Sequence, residues 1–68
     1  MTNMPEGPKK SVIRVDSEGR VVGSGGFQGS KDSDIVEVVV ENVDTGKEYS
    51  LGTKTWGEVK DVLKRGRL

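Results

Sequence analysis

The chain has 68 residues, 31% hydrophobic and 32% charged, with eleven basic side chains balancing eleven acidic ones. That supports one small domain and gives no overall field to draw in nucleic acid or an acidic membrane. With no cysteine and no histidine, disulfides, the usual zinc ligand sets and imidazole or thiol catalysis are excluded.

The charge is unevenly spread. Residues 1–30 carry a net charge of +1, residues 31–48 of −4 and residues 49–68 of +3, an acidic middle followed by a basic tail. A domain this small buries only roughly 60% of the surface its unfolded chain exposes. Self-association is therefore one way to bury more. No apolar stretch has the length of a signal peptide or a membrane span, and the expected location is the cytoplasm.

Residues 1–10 hold both prolines and two lysines with almost nothing to bury, which reads as a flexible N-terminal arm before a single domain over residues 11–68. "SVIRVD" reads as a strand and "SEG" (17–19) as its turn. Asp16 can accept backbone amides there, and Gly19 can take the left-handed conformation. "RVVG" is the returning strand. "GSGGFQGS" (23–30) then reads as slack chain running on through "KDSD". Phe27 is the one residue in it with something to bury, so it either folds back on the core or waits for a partner.

"DIVEVVVENV" is the strongest strand. Its even positions, Val36, Val38 and Val40, make one continuous apolar face, and its odd positions alternate Ile35, Val39 and Val43 with Glu37 and Glu41. "DTG" (44–46) is a second three-residue turn, and "KEYSL" returns with Tyr49 and Leu51. Thr55 followed by Glu58 forms a capping box, while Trp56, Val59, Val62 and Leu63 recur at helical spacing and Gly66 supplies a stop. The expected fold is α+β: a small antiparallel sheet or partial barrel of about four strands, as two hairpins, with one C-terminal helix packed on it.

"IRVDSEGRVV" (13–22) resembles the opening hairpin of AbrB-type swapped-hairpin DNA-binding domains. Those domains continue with Ile-Pro and an arginine-bearing helical segment, which "GSGGFQGS" lacks, so the resemblance implies a hairpin and no function.

The glycine stretch matches neither phosphate-binding pattern. No glycine lies five residues before a "GK[ST]", and from Gly23 and Gly25 the third position of G-x-G-x-x-G is Gln28. Both motifs also open a helix, whereas this one leads into a strand. Asp32 with Asp34, and Glu37 with Glu41, read as solvated carboxylates and not as a catalytic pair, because a loop offers no apolar wall and i, i+4 on a strand spans roughly 13 Å. The chain is expected to be no enzyme and to hold no cofactor or metal. The leading expectation is a non-catalytic module that binds a protein partner or a second copy, with Phe27, Ile35 and Val39 as contacts. The alternative is DNA or RNA binding through the basic helix end and the arm, with Lys9, Lys10, Lys60, Lys64, Arg65 and Arg67 on phosphates.

Overall fold

The structure, a computed structural model, describes residues 9–29 and 31–68. Alternation along strand β3 (Ile35–Asn42) does what its pattern predicts: Val36, Val38 and Val40 are fully buried, while the odd positions are half-buried or exposed. Strand β4 (Glu48–Thr55) returns antiparallel to it. The turn between them is held by the Asn42 side chain, which accepts the amides of Asp44 and Thr45, and by Gly46 at φ 76°. The first hairpin is built the same way. Strand β1 (Lys9–Val15) turns through residues 16–20, where Asp16 accepts the amides of Glu18 and Arg20 at 2.9 Å and Gly19 sits at φ 83°. Strand β2 (Val21–Gly26) then pairs antiparallel with β1.

Both expected hairpins and the C-terminal helix are present, so the fold is a small α+β domain with an open four-stranded sheet of order β2-β1-β3-β4. The sheet is mixed, because the hairpins join through a parallel pairing of β1 with β3, from Lys9 opposite Val36 to Val15 opposite Asn42. The connection from β2 to β3 must cross the start of β1 to reach its free edge. That crossing is the loop 27–34.

The reading of "GSGGFQGS" as slack chain is corrected, while Phe27 takes the first of its two expected courses and folds back on the core. Residues 23–26 are the last four of the six residues of β2, where Gly23 and Gly25 face Arg14 and Val12 across the ladder. Beyond the strand, Phe27 folds back: its amide donates to the Lys10 carbonyl, and its own carbonyl accepts the hydroxyl of buried Ser11 at 2.7 Å. Gly29 lies flat on the indole, so close that a Cβ there would sit 2.5 Å from Trp56 Cγ. Low β-propensity misled the reading, because these glycines fit under neighbouring side chains where larger residues would not. Of the expected arm, Lys9 and Lys10 open β1, and residues 1–8 lie outside the described residues, as does Ser30.

Helix α1 (Trp56–Arg65) begins with all four of its otherwise orphaned N-terminal amides satisfied. Thr55 N donates to Glu58 Oε1 and Glu58 N to Thr55 Oγ1, the reciprocal box. Trp56 N and Gly57 N donate to the carbonyls of Asp34 and Asp32 in the crossing loop. At the other end Gly66, at φ 80°, returns its amide to Val62 O. The helix packs Trp56 and Val59 onto Ile13, Val15 and the three β3 valines, with Phe27, Val62 and Leu63 at the margin of this core. Every buried hydrophobic residue among the described ones belongs to that one sheet–helix interface.

Candidate interaction surface

The helix covers the even face of β3, and among the described residues no further element lies over the odd face of the sheet. On β1 the period of two puts Lys10, Val12 and Arg14 on this open face, since Ser11, Ile13 and Val15 are buried on the other. On β3 the open face carries Ile35, Glu37, Val39 and Glu41. The parallel ladder sets Lys10 opposite Glu37, Val12 opposite Val39 and Arg14 opposite Glu41. The result is a half-buried valine pair at the middle of the sheet with a cation–anion pairing one step above and one step below. Ile35, at the start of β3, is 55% exposed.

The charged groups are positioned by their neighbours. Arg14 Nε donates to Glu41 Oε1 at 3.1 Å, and Glu37 Oε2 accepts the Ser50 hydroxyl at 3.2 Å. The Arg14 guanidinium reaches over β2, where a Cβ on Gly25 would come within 2.6 Å of Nη1 and a Cβ on Gly23 within 3.8 Å of Cδ. Gly23 and Gly25 therefore keep this half of the open face flat. The other half, on β4, carries Glu48, Ser50 and Thr53 opposite Glu41, Val39 and Glu37.

Ile35 and Val39 of the expected partner contacts come together here, whereas Phe27 does not join them. It lies against the core on the helix side, with Lys9 Nζ 5.8 Å from its ring centre. The expected basic contacts are divided between regions. Lys9 and Lys10 stand at the start of β1. Arg65 and Arg67 stand at its far end, because Gly66 O accepts the Val21 amide and Arg67 bridges Arg20. The seven residues of β1 separate the two groups by roughly 20 Å. Lys60 sits between them with Nζ 2.6 Å from Asp32 Oδ1, and Lys64 lies in the last turn of α1. Sequence reasoning missed Val12, Arg14, Gly23 and Gly25. Alternation in "KKSVIRV" was the available signal for the first two, but pairing each with a β3 residue needed the parallel register.

Other features are structural. The helix N-terminus offers no free amide to a phosphate, for the reasons given above. Asp34 Oδ2 caps the Lys31 amide, and Asp32 holds Lys60. Backbone donation from Arg20 is the main cause that lowers the Asp16 carboxyl below its ordinary value, and donation from Thr55 does the same for Glu58. A shallow groove of about 330 Å³ between α1 and β4, lined by Leu51, Val59 and Val62, is rimmed by Lys54, Asp61 and Arg65. Among the described residues no buried side-chain nitrogen or oxygen lacks a partner, and no group of three or more metal-ligating side chains is gathered. No helix of the described residues is long and apolar enough to cross a membrane.

Comparison with known proteins adds no relative. No family model matches the chain, and neither a curated protein nor a solved structure matches it significantly.

Proposed function

We propose that this protein is a non-catalytic interaction module that binds a polypeptide through the open face of its sheet. One observation carries the reading: a single helix covers one face only, and the other presents Val12, Val39 and Ile35 framed by side chains already fixed in place. Fixed neighbours lower the entropy lost when a partner docks, so such a face is suited to binding without rearrangement. A lone helix about 10 Å across also spans only about half the width of a four-stranded sheet, roughly 19 Å at its backbone spacing, on the one face it packs against.

The test is photo-cross-linking in cells, with a photoreactive phenylalanine analogue at Ile35 in one variant and at Lys64 in another. Polypeptide adducts from position 35 that are absent from position 64 are the expected result. Nucleic-acid adducts from position 64, with none from position 35, would replace this reading with the basic helix end as a phosphate-binding site. The latter alternative uses Lys64, Arg65 and Arg67, which stand beside Arg20 at one end of the molecule.

A further inference from the structure

We infer that the partner of the open face is a second copy of this chain, stacked sheet against sheet about a two-fold axis that runs along the strands between β1 and β3. The inference rests on the reading of that face as the binding surface and adds the identity of its occupant. Its argument is symmetry. In the order β2-β1-β3-β4 the midline of the sheet lies between β1 and β3. The β1 side of that line carries Lys10, Val12 and Arg14, and the β3 side carries Glu37, Val39 and Glu41 at matching heights. Rotation by 180° about the midline places each β1 over the β3 of the other copy and leaves heights unchanged. Lys10 then faces Glu37, Val12 faces Val39 and Arg14 faces Glu41, twice over. The Arg14–Glu41 pair of each copy becomes half of an alternating ring of four charges.

The competing two-fold axis, across the strands, puts β1 over β1 and brings Lys10 over Arg14. Like charges then meet on both strands, which opposes association. The charge pattern thus selects one symmetric arrangement and disfavours the other. The outer strands agree with the choice, because β4 comes to lie over β2. Ser50, Thr53 and Glu48 meet a strand whose Gly23 and Gly25 bring no side chain of their own, so that what they meet there is the Arg14 guanidinium lying over those glycines. Stacked sheets usually cross at about 30°. The charged positions lie about 7 Å from the centre, two residues along a strand. That rotation moves them by under ~4 Å, within reach of Lys, Arg and Glu side chains.

The footprint bounds the affinity. Four strands at about 4.8 Å and six or seven residues at about 3.3 Å give roughly 400 Å² in projection for each copy. This is below the roughly 800 Å² per partner of a standard interface. A dimer dissociating in the micromolar range or above, and weakened by salt, is the expected behaviour.

Sedimentation of three purified proteins tests this: the wild type, Lys10→Glu/Arg14→Glu with an acidic face, and Glu37→Lys/Glu41→Lys with a basic one. Wild type should associate reversibly. Each variant alone should lose at least about 100-fold in self-affinity, and an equimolar mixture should recover a one-to-one dimer, because each acidic column then faces a basic one. A monomeric wild type up to about 1 mM, or a dimer that persists in either variant alone, overturns the inference. A nitroxide on Thr53→Cys, available because the chain has no other cysteine, does not depend on the charge variants folding. It should broaden β2 amides near Gly25 in an unlabelled copy, and broadening elsewhere alone would overturn the inference. If the wild type is monomeric while position 35 cross-links a different protein, the module reading stands and the second copy falls. If neither occurs, both fall.

Discussion

At the scale of single residues, the contacts of Gly29 and Trp56 show how much of this domain rests on close fit. Trp56 is 7% exposed, and the backbone of Gly29 lies directly on its ring. Trp56→Ala should cost about 3–5 kcal/mol, comparable with the whole stability of a domain this size. Gly29→Ala is the less obvious test. A methyl group 2.5 Å from Cγ and 2.7 Å from Cβ of the tryptophan forces the ring or the loop to move, and overpacking of this kind costs about 1–3 kcal/mol. Urea unfolding should show a lower midpoint for Gly29→Ala and no comparable change for Gly23→Ala, whose added Cβ comes no closer than 3.8 Å to a neighbouring side chain, an ordinary contact. An unchanged Gly29→Ala midpoint would mean that the loop is not seated on the indole.

Glu58 supplies a pH-dependent test at the same scale. The Thr55 amide donates to its carboxylate and holds its pKa below the ordinary value of 4.5. An acid whose pKa is lower in the folded than in the unfolded state stabilises the fold in its ionised form. That contribution is complete above the unfolded value and is lost as the pH falls through the folded one. Asp16, lowered from 3.8, acts in the same direction over a slightly more acidic window. Glu58→Gln keeps a group able to close the capping box but cannot titrate. Between about pH 5 and pH 3 its urea midpoint should fall less steeply than that of wild type, with Asp16 responsible for part of the slope that is left. Equal slopes would show that the box contributes nothing through ionised Glu58.

Among the elements, the helix joins local sequence to long-range structure. Half of its N-terminal capping comes from Thr55 and Glu58, four residues of sequence, and was legible as a motif. The other half comes from the carbonyls of Asp32 and Asp34, and no local pattern encodes it. Hydrogen exchange can separate the two. The amides of Trp56 and Gly57, which exchange freely at an uncapped helix start, should be protected about as well as Val59 if the loop carbonyls hold them. Rapid exchange at both would detach the loop from the helix. The same division runs through the sheet. Turn chemistry at Asp16, Gly19 and Gly46 and alternation at Val36, Val38 and Val40 are local, and they made both hairpins and the core face of β3 readable. The parallel join of β1 to β3 depends on a chain crossing between distant strands, which leaves no periodic trace. β2 was half hidden because Gly23, Gly25 and Gly26 have no side chains to alternate. For the candidate site, Ile35 and Val39 were legible from the mixed odd face of β3. Their β1 counterparts were out of reach until the register joined them.

On the scale of the whole molecule, a net charge of zero conceals two ordered columns, basic on β1 and acidic on β3. Within one copy their nearest pairing, Arg14 with Glu41, is 41% exposed at the arginine and 32% at the glutamate, so it adds little to the stability of the monomer. Stacked on a second copy, the same groups would be shielded from water and matched twice, and the valine pair would lose its remaining contact with solvent. Dimerisation should therefore appear as stability. A state that binds only folded partners is favoured by mass action, so the unfolding midpoint must rise with protein concentration. Between ~5 µM and ~500 µM the wild type should gain thermal stability, and the gain should shrink when salt is raised from about 50 mM to about 500 mM, as shielding reduces attraction between the columns. The Lys10→Glu/Arg14→Glu variant should show no dependence on its own concentration and should regain it when mixed with Glu37→Lys/Glu41→Lys. A midpoint for the wild type that stays constant across this range would mean the open face is not closed by another copy of itself. The two charge columns would then be left to match a partner with a complementary surface of its own.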